Sequence, residues 1–196
     1  FGKFDDRKDD YKSLDEALTH GGIDNNLKVK LIRIESENLN KSEIKKRLKG
    51  RSAILIPGGF GKRGTEGKIE AIKYAREKKI PFFGICFGMQ MAIIEFARNK
   101  LKIKKATSSE FGFEGTPIIG LITEWNKDGK VILGTDKNLG GTMRLGLYEA
   151  KLKENSLVKK IYKSKTIQER HRHRYEVNIS YKDQFEANGM IFSGLS

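Results

Sequence analysis

The sequence predicts an α/β protein with a mostly parallel central sheet and helices on both faces. Three short apolar stretches, at residues 29–34, 53–56 and 81–85, have the length of buried strands. Stretches with helical periodicity separate them, and strands that alternate with helices are typical of βαβ units with a parallel sheet. The second half predicts an antiparallel extension, since short loops join its candidate strands at 120–122, 130–133, 143–152 and 172–177.

Local signals predict where several helices begin and end. Ser13 and Glu16 form a capping-box pattern for a first helix, and Gly21 and Gly22 predict its end. Ser156 is placed to cap a short helix that runs through Tyr162. We find no linker, repeat or low-complexity segment, so residues 1–196 are expected to form one domain.

Composition narrows the class of protein. The chain has 196 residues, 37% of them apolar, without an apolar run long enough to cross a membrane. Its single cysteine cannot form an internal disulfide and its first residues lack a signal-peptide pattern, which favours the cytoplasm.

The net charge of +14 makes nucleic-acid binding the main rival hypothesis from another functional class. Two basic clusters carry much of this charge, at residues 41–49 and 100–105. In the first, Ile44 and Leu48 are spaced as on an amphipathic helix and Glu43 interrupts the cations, so a solvated helical face is the favoured interpretation. The second resembles a surface connection. Neither cluster has interleaved aromatic residues, so nucleic acid is not favoured as a partner.

The sequence Gly84-Ile85-Cys86-Phe87-Gly88 places the only cysteine between an apolar strand and an amphipathic helix. This pattern predicts a sharp turn of the nucleophile-elbow type. A helix N-terminus beside the sulfur favours the thiolate, which is the nucleophilic form. The alternative is a small buried hydrophobic cysteine, and a lone cysteine is more often that.

A second apolar strand, at residues 53–56, runs into the glycine-rich sequence Pro57-Gly58-Gly59-Phe60-Gly61. If the two strands are neighbours in a parallel sheet, this loop lies near Cys86. The amides of Gly59 and Phe87 are then candidate donors to an oxyanion. Taken alone, the loop would be only a turn.

These motifs, in this order, resemble those of the class I (triad) glutamine amidotransferases, and among them the CTP synthase family. Further similar segments are 57–68, 84–90, 108–111, 140–146 and 169–178. The resemblance implies a flavodoxin-like fold in which Cys86 attacks L-glutamine and forms a γ-glutamyl thioester. It places glutamine-binding residues at Gly59, Phe87, Gly88, Met89, Gln90, Glu110 and Arg174.

The residue types at these positions suit a glutamine substrate. The Glu110 carboxylate suits its ammonium group, and the Arg174 guanidinium offers a planar fork of donors to its carboxylate. Without the resemblance, both would be taken as solvated surface charges. We expect Gln90 to face the substrate and Met89 to pack underneath.

The sequence departs from the family at the general base. The family uses a histidine in a His-Pro-Glu sequence, after a segment resembling residues 192–196, and neither this histidine nor its glutamate is present in this chain. We therefore expect the domain to lack its extreme C-terminal segment. His171 and His173 alternate with Arg172 and Arg174 on a candidate strand, and they remain alternative bases.

The resemblance also implies an N-terminal synthetase domain, absent here, that uses ATP and Mg to aminate UTP to CTP. No cofactor is expected in this domain, because the glycine-rich loop lacks P-loop spacing. The family further implies GTP as an activator, associated with a lid at residues 140–144, and a homotetramer. Two alternatives remain: an amidotransferase or γ-glutamyl hydrolase of another pathway, and a noncatalytic basic binding module.

Overall fold

The computed structural model describes residues 1–2, 11–112, 114–121, 124–127, 130–133 and 143–196, with only the backbone at 124–127 and 130–133. The chain divides into two compact units, Phe1–Glu95 and Phe96–Ser196. The expected lid at 140–144 falls mostly outside the described residues.

The first unit is built on two parallel strands. Its elements are α1 (Lys12–Asp24), α2 (Lys41–Leu48), β1 (Ile54–Ile56), α3 (Thr65–Lys78), β2 (Phe82–Gly84) and the start of α4 (Phe87–Asn99). Strand β1 pairs with β2 in parallel, with Ile54 opposite Phe82 and Ile56 opposite Gly84. The predicted parallel pairing of these two strands is therefore confirmed.

Helix α2 confirms the amphipathic interpretation of the first basic cluster. Asn40 and Glu43 form its capping box, and Ile44 and Leu48 are 1% and 2% exposed. The helix buries one apolar stripe and leaves its cations outside, as its spacing predicts.

Helix α1 does not begin or end where the sequence predicts. Its N-cap is Tyr11, without a side-chain cap, and the helix continues through Gly21 and Gly22 to Asp24. An ideal β-carbon on Gly22 would lie 2.7 Å from Val29 Cγ2 and 2.8 Å from the Leu27 carbonyl oxygen. Gly22 therefore permits close packing of the following segment, and the prediction that it ends the helix is wrong.

The strand predicted at residues 29–34 is also wrong. Among the residues that the structure describes, 29–34 form no strand, and the pairing described nearby is one isolated parallel bridge between Gly2 and Glu35. Val29, Leu31 and Ile32 are 42%, 41% and 42% exposed. A strand needs a neighbour for its backbone groups, which an apolar sequence alone does not provide.

The second unit is dominated by antiparallel pairing. Its strands are β3 (Ala106–Ser108), β4 (Thr116–Leu121), β5 (Glu124–Lys127), β6 (Lys130–Leu133), β7 (Arg144–Leu152), β8 (Thr166–His173), β9 (Tyr175–Val177) and β10 (Gly194–Leu195). Strand β4 pairs in parallel with β3 and antiparallel with β9, while β7 lies antiparallel between β8 and β10. Strands β5 and β6 form an antiparallel pair. The predicted antiparallel extension is confirmed.

Two short helices complete this unit, α5 (Leu157–Tyr162) and α6 (Lys182–Ala187). The Ser156 hydroxyl accepts a hydrogen bond from the Lys159 amide, so the predicted cap of α5 is confirmed. Phe185 of α6 is fully buried, and its ring centroid lies 5.9 Å from that of Phe96 and 6.0 Å from that of Phe192. The lysines between α4 and β3 lie in an exposed connection, as predicted. The α/β class is confirmed.

Candidate active site

Cys86 stands on a strained turn between β2 and α4. Its φ angle is 51°, in the left-handed region that non-glycine residues rarely adopt, and its side chain is exposed. Such a conformation costs about 1–3 kcal/mol, and strained conformations of this kind are enriched at active sites. The predicted sharp turn is confirmed, and the alternative of a buried cysteine is wrong.

The two glycines of the elbow are required by close contacts. An ideal β-carbon on Gly84 would lie 2.7 Å from the Met89 amide nitrogen, and one on Gly88 would lie 2.1 Å from the Ile56 carbonyl oxygen. The Ile85 amide also donates to Ile56 at 3.0 Å. These contacts press the start of α4 against the end of β1, on either side of Cys86 in the chain.

The glycine-rich loop after β1 reaches the elbow. An ideal β-carbon on Gly58 would lie 3.7 Å from Cys86 Cβ, and one on Gly59 would lie 3.9 Å from Phe87 Cδ1. This is the juxtaposition expected of neighbouring parallel strands, because their carboxyl ends meet at one edge of the sheet. The role of the Gly59 and Phe87 amides as oxyanion donors stays a prediction.

The first turn of α4 has no acidic residue. The amides and the positive end of the helix dipole therefore act on the adjacent sulfur without a nearby carboxylate from that turn. A helix N-terminus of this kind generally stabilises a thiolate, and the thiolate form of Cys86 stays a prediction.

The residues after Cys86 differ from one another in burial, and Met89 departs from the expectation. Phe87 is 2% exposed, Gly88 is buried, and Gln90 is 5% exposed. Met89 is 43% exposed, so the expectation that it packs underneath is wrong. Helical geometry turns position 89 away from the buried stripe that Phe87, Gln90 and Met91 share. The contact of Gln90 with substrate stays a prediction.

The two candidate ligands of the amino-acid group lie in the second unit. Glu110 is half-buried in the 3₁₀ turn Ser109–Phe111, where the Ser108 hydroxyl accepts from its amide at 3.2 Å. Arg174 is half-buried at a bend between β8 and β9. The sequence placed Arg174 within one strand, and the bend corrects this.

His171 and His173 lie on one face of β8, as predicted. Nδ1 of His171 is 2.8 Å from Nε2 of His173, so one ring donates to the other. His20, the remaining histidine, is exposed on α1 of the first unit.

A charged cluster that the sequence did not reveal surrounds this histidine pair. Arg144 of β7 lies opposite His173, donates to Glu176 at 3.0 Å and stacks over the Tyr148 ring at 4.4 Å. Burial first, and then the charge of Arg144, hold the pKa of His171 below its usual value. Burial also lowers the pKa of His173, with Arg144 adding to the effect and Glu176 opposing it. Neutral imidazoles are therefore favoured near pH 7.

Within the part of the chain that the structure describes, no three His, Cys, Asp or Glu side chains are grouped to hold a metal ion. The described helices include none that is both long and apolar enough to cross a membrane.

Comparison with known proteins identifies the family. The model of the family "Glutamine amidotransferase class-I" matches residues 7–196. The chain belongs to the class I glutamine amidotransferases. A solved structure of similar fold is the glutaminase domain of Trypanosoma brucei CTPS with bound acivicin, with a TM-score of 0.86 and 34% identity over 99% of this chain and 73% of that one.

Curated relatives place the chain more narrowly within this family. It is 75% identical over 195 residues to the CTP synthase of Pelagibacter ubique and 57% identical over 198 residues to that of Zymomonas mobilis. Each match covers 100% of this chain and 36% of the relative. The chain thus spans about a third of these relatives' length and matches the glutamine amidotransferase domain of CTP synthase.

Proposed function

We propose that this chain hydrolyses L-glutamine with Cys86 as the nucleophile and supplies the ammonia to a synthetase domain. The observation that carries the proposal is the conformation of Cys86, which is exposed at positive φ where β2 meets α4. The glycine-rich loop beside it offers backbone amides at the same edge of the sheet. A strained, exposed thiol at a helix N-terminus is suited to nucleophilic attack.

The reaction proceeds in two steps. The Cys86 sulfur bonds to the side-chain carboxamide carbon of glutamine, and the carbonyl electron pair moves to oxygen, where the Gly59 and Phe87 amides stabilise it. The amide nitrogen takes up a proton and leaves as ammonia, forming the γ-glutamyl thioester. Water then attacks the thioester carbon and releases glutamate and the thiol.

Charge complementarity supports the binding roles. The Glu110 carboxylate would hold the glutamine ammonium group, and the Arg174 guanidinium would hold its carboxylate through paired hydrogen bonds. The remaining candidate glutamine-binding residues are Gly59, Phe87, Gly88, Met89 and Gln90. The family resemblance assigns proton transfer to a histidine and a glutamate in a His-Pro-Glu segment.

For the whole polypeptide we propose the activity that the name of its relatives states, CTP synthesis. Ammonia would pass to a synthetase domain that activates UTP with ATP and Mg and forms CTP, with GTP as activator and a homotetramer as the assembly. The relatives carry the name CTP synthase over their full length, of which this chain matches 36%. A cytoplasmic location fits an exposed cysteine that is in no disulfide, because the cytoplasm is reducing.

The intact mass of the protein after incubation with a glutamine-mimicking diazoketone tests the proposal. The Cys86 sulfur would bond to the diazo-bearing carbon with loss of dinitrogen, giving one covalent addition that excess glutamine prevents. Cys86→Ser should show no addition. The matched control is His20→Gln, an exposed position on α1, which should be labelled like the wild type. Labelling that persists in Cys86→Ser, or that glutamine does not slow, contradicts the proposal.

A further inference from the structure

A buried lysine lies near the ring of Phe87, the residue that follows Cys86. Lys68 of α3 is 4% exposed, although lysine is almost never buried without a partner. Its Nζ donates to the hydroxyl of Ser36, itself 2% exposed, at 3.2 Å. The same Nζ lies 5.7 Å from the centroid of the Phe87 ring.

The backbone around Lys68 is shaped to bring it there. An ideal β-carbon on Gly67 would lie 2.2 Å from the Ser36 carbonyl oxygen, and one on Gly64 would lie 2.5 Å from the Ser36 hydroxyl and 3.4 Å from Lys68 Nζ. The start of α3 therefore packs directly on Ser36. Gly64 and Gly67 thereby bring Ser36, whose hydroxyl accepts from Lys68, close to the start of α3.

The Phe87 ring connects Lys68 to both candidate oxyanion donors. Phe87 carries one of the two amides, and its ring edge lies 3.9 Å from the place where a β-carbon of Gly59, the other donor, would be. The ring is 2% exposed and begins α4 directly after the strained Cys86. A change in the ring position would therefore alter the spacing of the two amides.

We infer that Lys68 is a positioning residue that fixes the Phe87 ring and thereby the geometry of the oxyanion site. The inference rests on the proposed function, because that function supplies the oxyanion. A buried amine costs folding free energy that an apolar side chain of similar size would not. Nζ lies within the range of a cation–π attraction to the ring, and the Ser36 hydroxyl that accepts its hydrogen bond helps to orient it.

The test compares two reactions of Cys86 in Lys68→Met. Iodoacetamide forms a carbon–sulfur bond and expels iodide, and it needs the thiolate but not the oxyanion site. Glutamate γ-semialdehyde is the aldehyde analogue of glutamine. Its carbonyl carbon bonds to the Cys86 sulfur, and its carbonyl oxygen becomes the thiohemiacetal oxygen, which requires the oxyanion site. Protection of Cys86 against iodoacetamide by increasing aldehyde gives the dissociation constant of the aldehyde.

Lys68→Met should weaken aldehyde binding about tenfold, which is less than the ~100-fold loss of rate that removal of one oxyanion donor causes. The same substitution should change the rate of the iodoacetamide reaction less than about threefold. Lys68→Arg should restore most of the affinity, because a cation again lies over the ring. Lys68→Gln keeps a donor for Ser36 but does not reach the ring, so it should weaken aldehyde binding as Lys68→Met does. It replaces Lys68→Met in the test if that variant fails to fold.

Phe87→Leu separates positioning from general stability. If Lys68 acts through the ring, Lys68→Met should cost little further aldehyde affinity in the Phe87→Leu background, whereas independent effects would add. Additive effects, or unchanged affinity in a folded Lys68→Met, overturn the inference while the proposed function stands. If the aldehyde does not protect wild-type Cys86 at all, the proposed function fails first, and the inference falls with it.

Discussion

Arg76 of α3 and Glu95 of α4 form a bidentate ion pair. Arg76 donates through Nε and NH2 to the Glu95 carboxylate at 2.8–3.1 Å, and the Glu95 side chain is 1% exposed. The hydrogen bond to Glu95 raises the pKa of Arg76 above its usual value. Because α4 begins at the nucleophile elbow, this pair ties the helix that carries the elbow to its neighbour.

Removing Arg76 should destabilise the protein. Arg76→Leu leaves a buried carboxylate without its guanidinium. We expect the free energy of unfolding to fall by about 2–3 kcal/mol, somewhat less than the ~3–5 kcal/mol for a fully buried pair, because the Arg76 side chain is 30% exposed. Urea unfolding measures this. The matched control is Lys73→Ala, which breaks an ion pair to the 49% exposed Glu77 and should cost under about 0.5 kcal/mol. Equal losses in the two variants would show that the Arg76 pair has no special role.

Alanine substitutions at two adjacent glycines of α1, Gly21 and Gly22, should have opposite effects on stability. Nothing lies within 4 Å of a β-carbon on Gly21, so Gly21→Ala should stabilise the protein by about 0.5–1 kcal/mol through helix propensity. Gly22→Ala meets Val29 and the Leu27 carbonyl and should destabilise it by about 1–3 kcal/mol. Thermal unfolding of the two variants gives the comparison. A stabilising Gly22→Ala would mean that residues 27–29 do not pack against α1.

Gly88→Ala should disrupt the elbow. The new β-carbon would lie 2.1 Å from the Ile56 carbonyl oxygen, a backbone atom that cannot move without shifting β1. We expect diazoketone labelling of Cys86 to slow by about 100-fold, since misplacement of about 1 Å can cost that much. Mass spectrometry over time measures the rate. Gly21→Ala, which alters a remote helix, should label at the wild-type rate.

The histidine pair should make stability depend on pH. Because burial lowers the pKa of His171 and His173 in the folded protein, the unfolded chain binds protons at a higher pH. The free energy of unfolding should therefore decline as pH falls through about 6.5 and be unaffected by these residues well above it. Urea unfolding between pH 7.5 and 5.5 shows the slope, which His171→Gln combined with His173→Gln should reduce. An unchanged slope in the double variant would contradict the assignment.

Local sequence signals predicted much of the site and of the secondary structure. The elbow at Cys86 and the cap at Ser156 are confirmed because each depends on residues adjacent in the chain. The predictions that are wrong concern segments whose contacts reach beyond immediate neighbours in the chain. Residues 29–34 have a strand-like sequence but form no strand within the described residues, and Gly22 meets Leu27 and Val29 instead of ending its helix.

By itself, the sequence determined the α/β class, the strand–cysteine–helix turn and the glycines around it, because backbone sterics and apolar periodicity act over a few residues. Only the tertiary structure decided that Met89 is exposed, that Arg174 lies at a bend, and that Arg144 joins the histidine pair. It also decided that Lys68 Nζ lies over the Phe87 ring. Such contacts join side chains far apart in the chain, and their burial and pairing depend on how the elements pack.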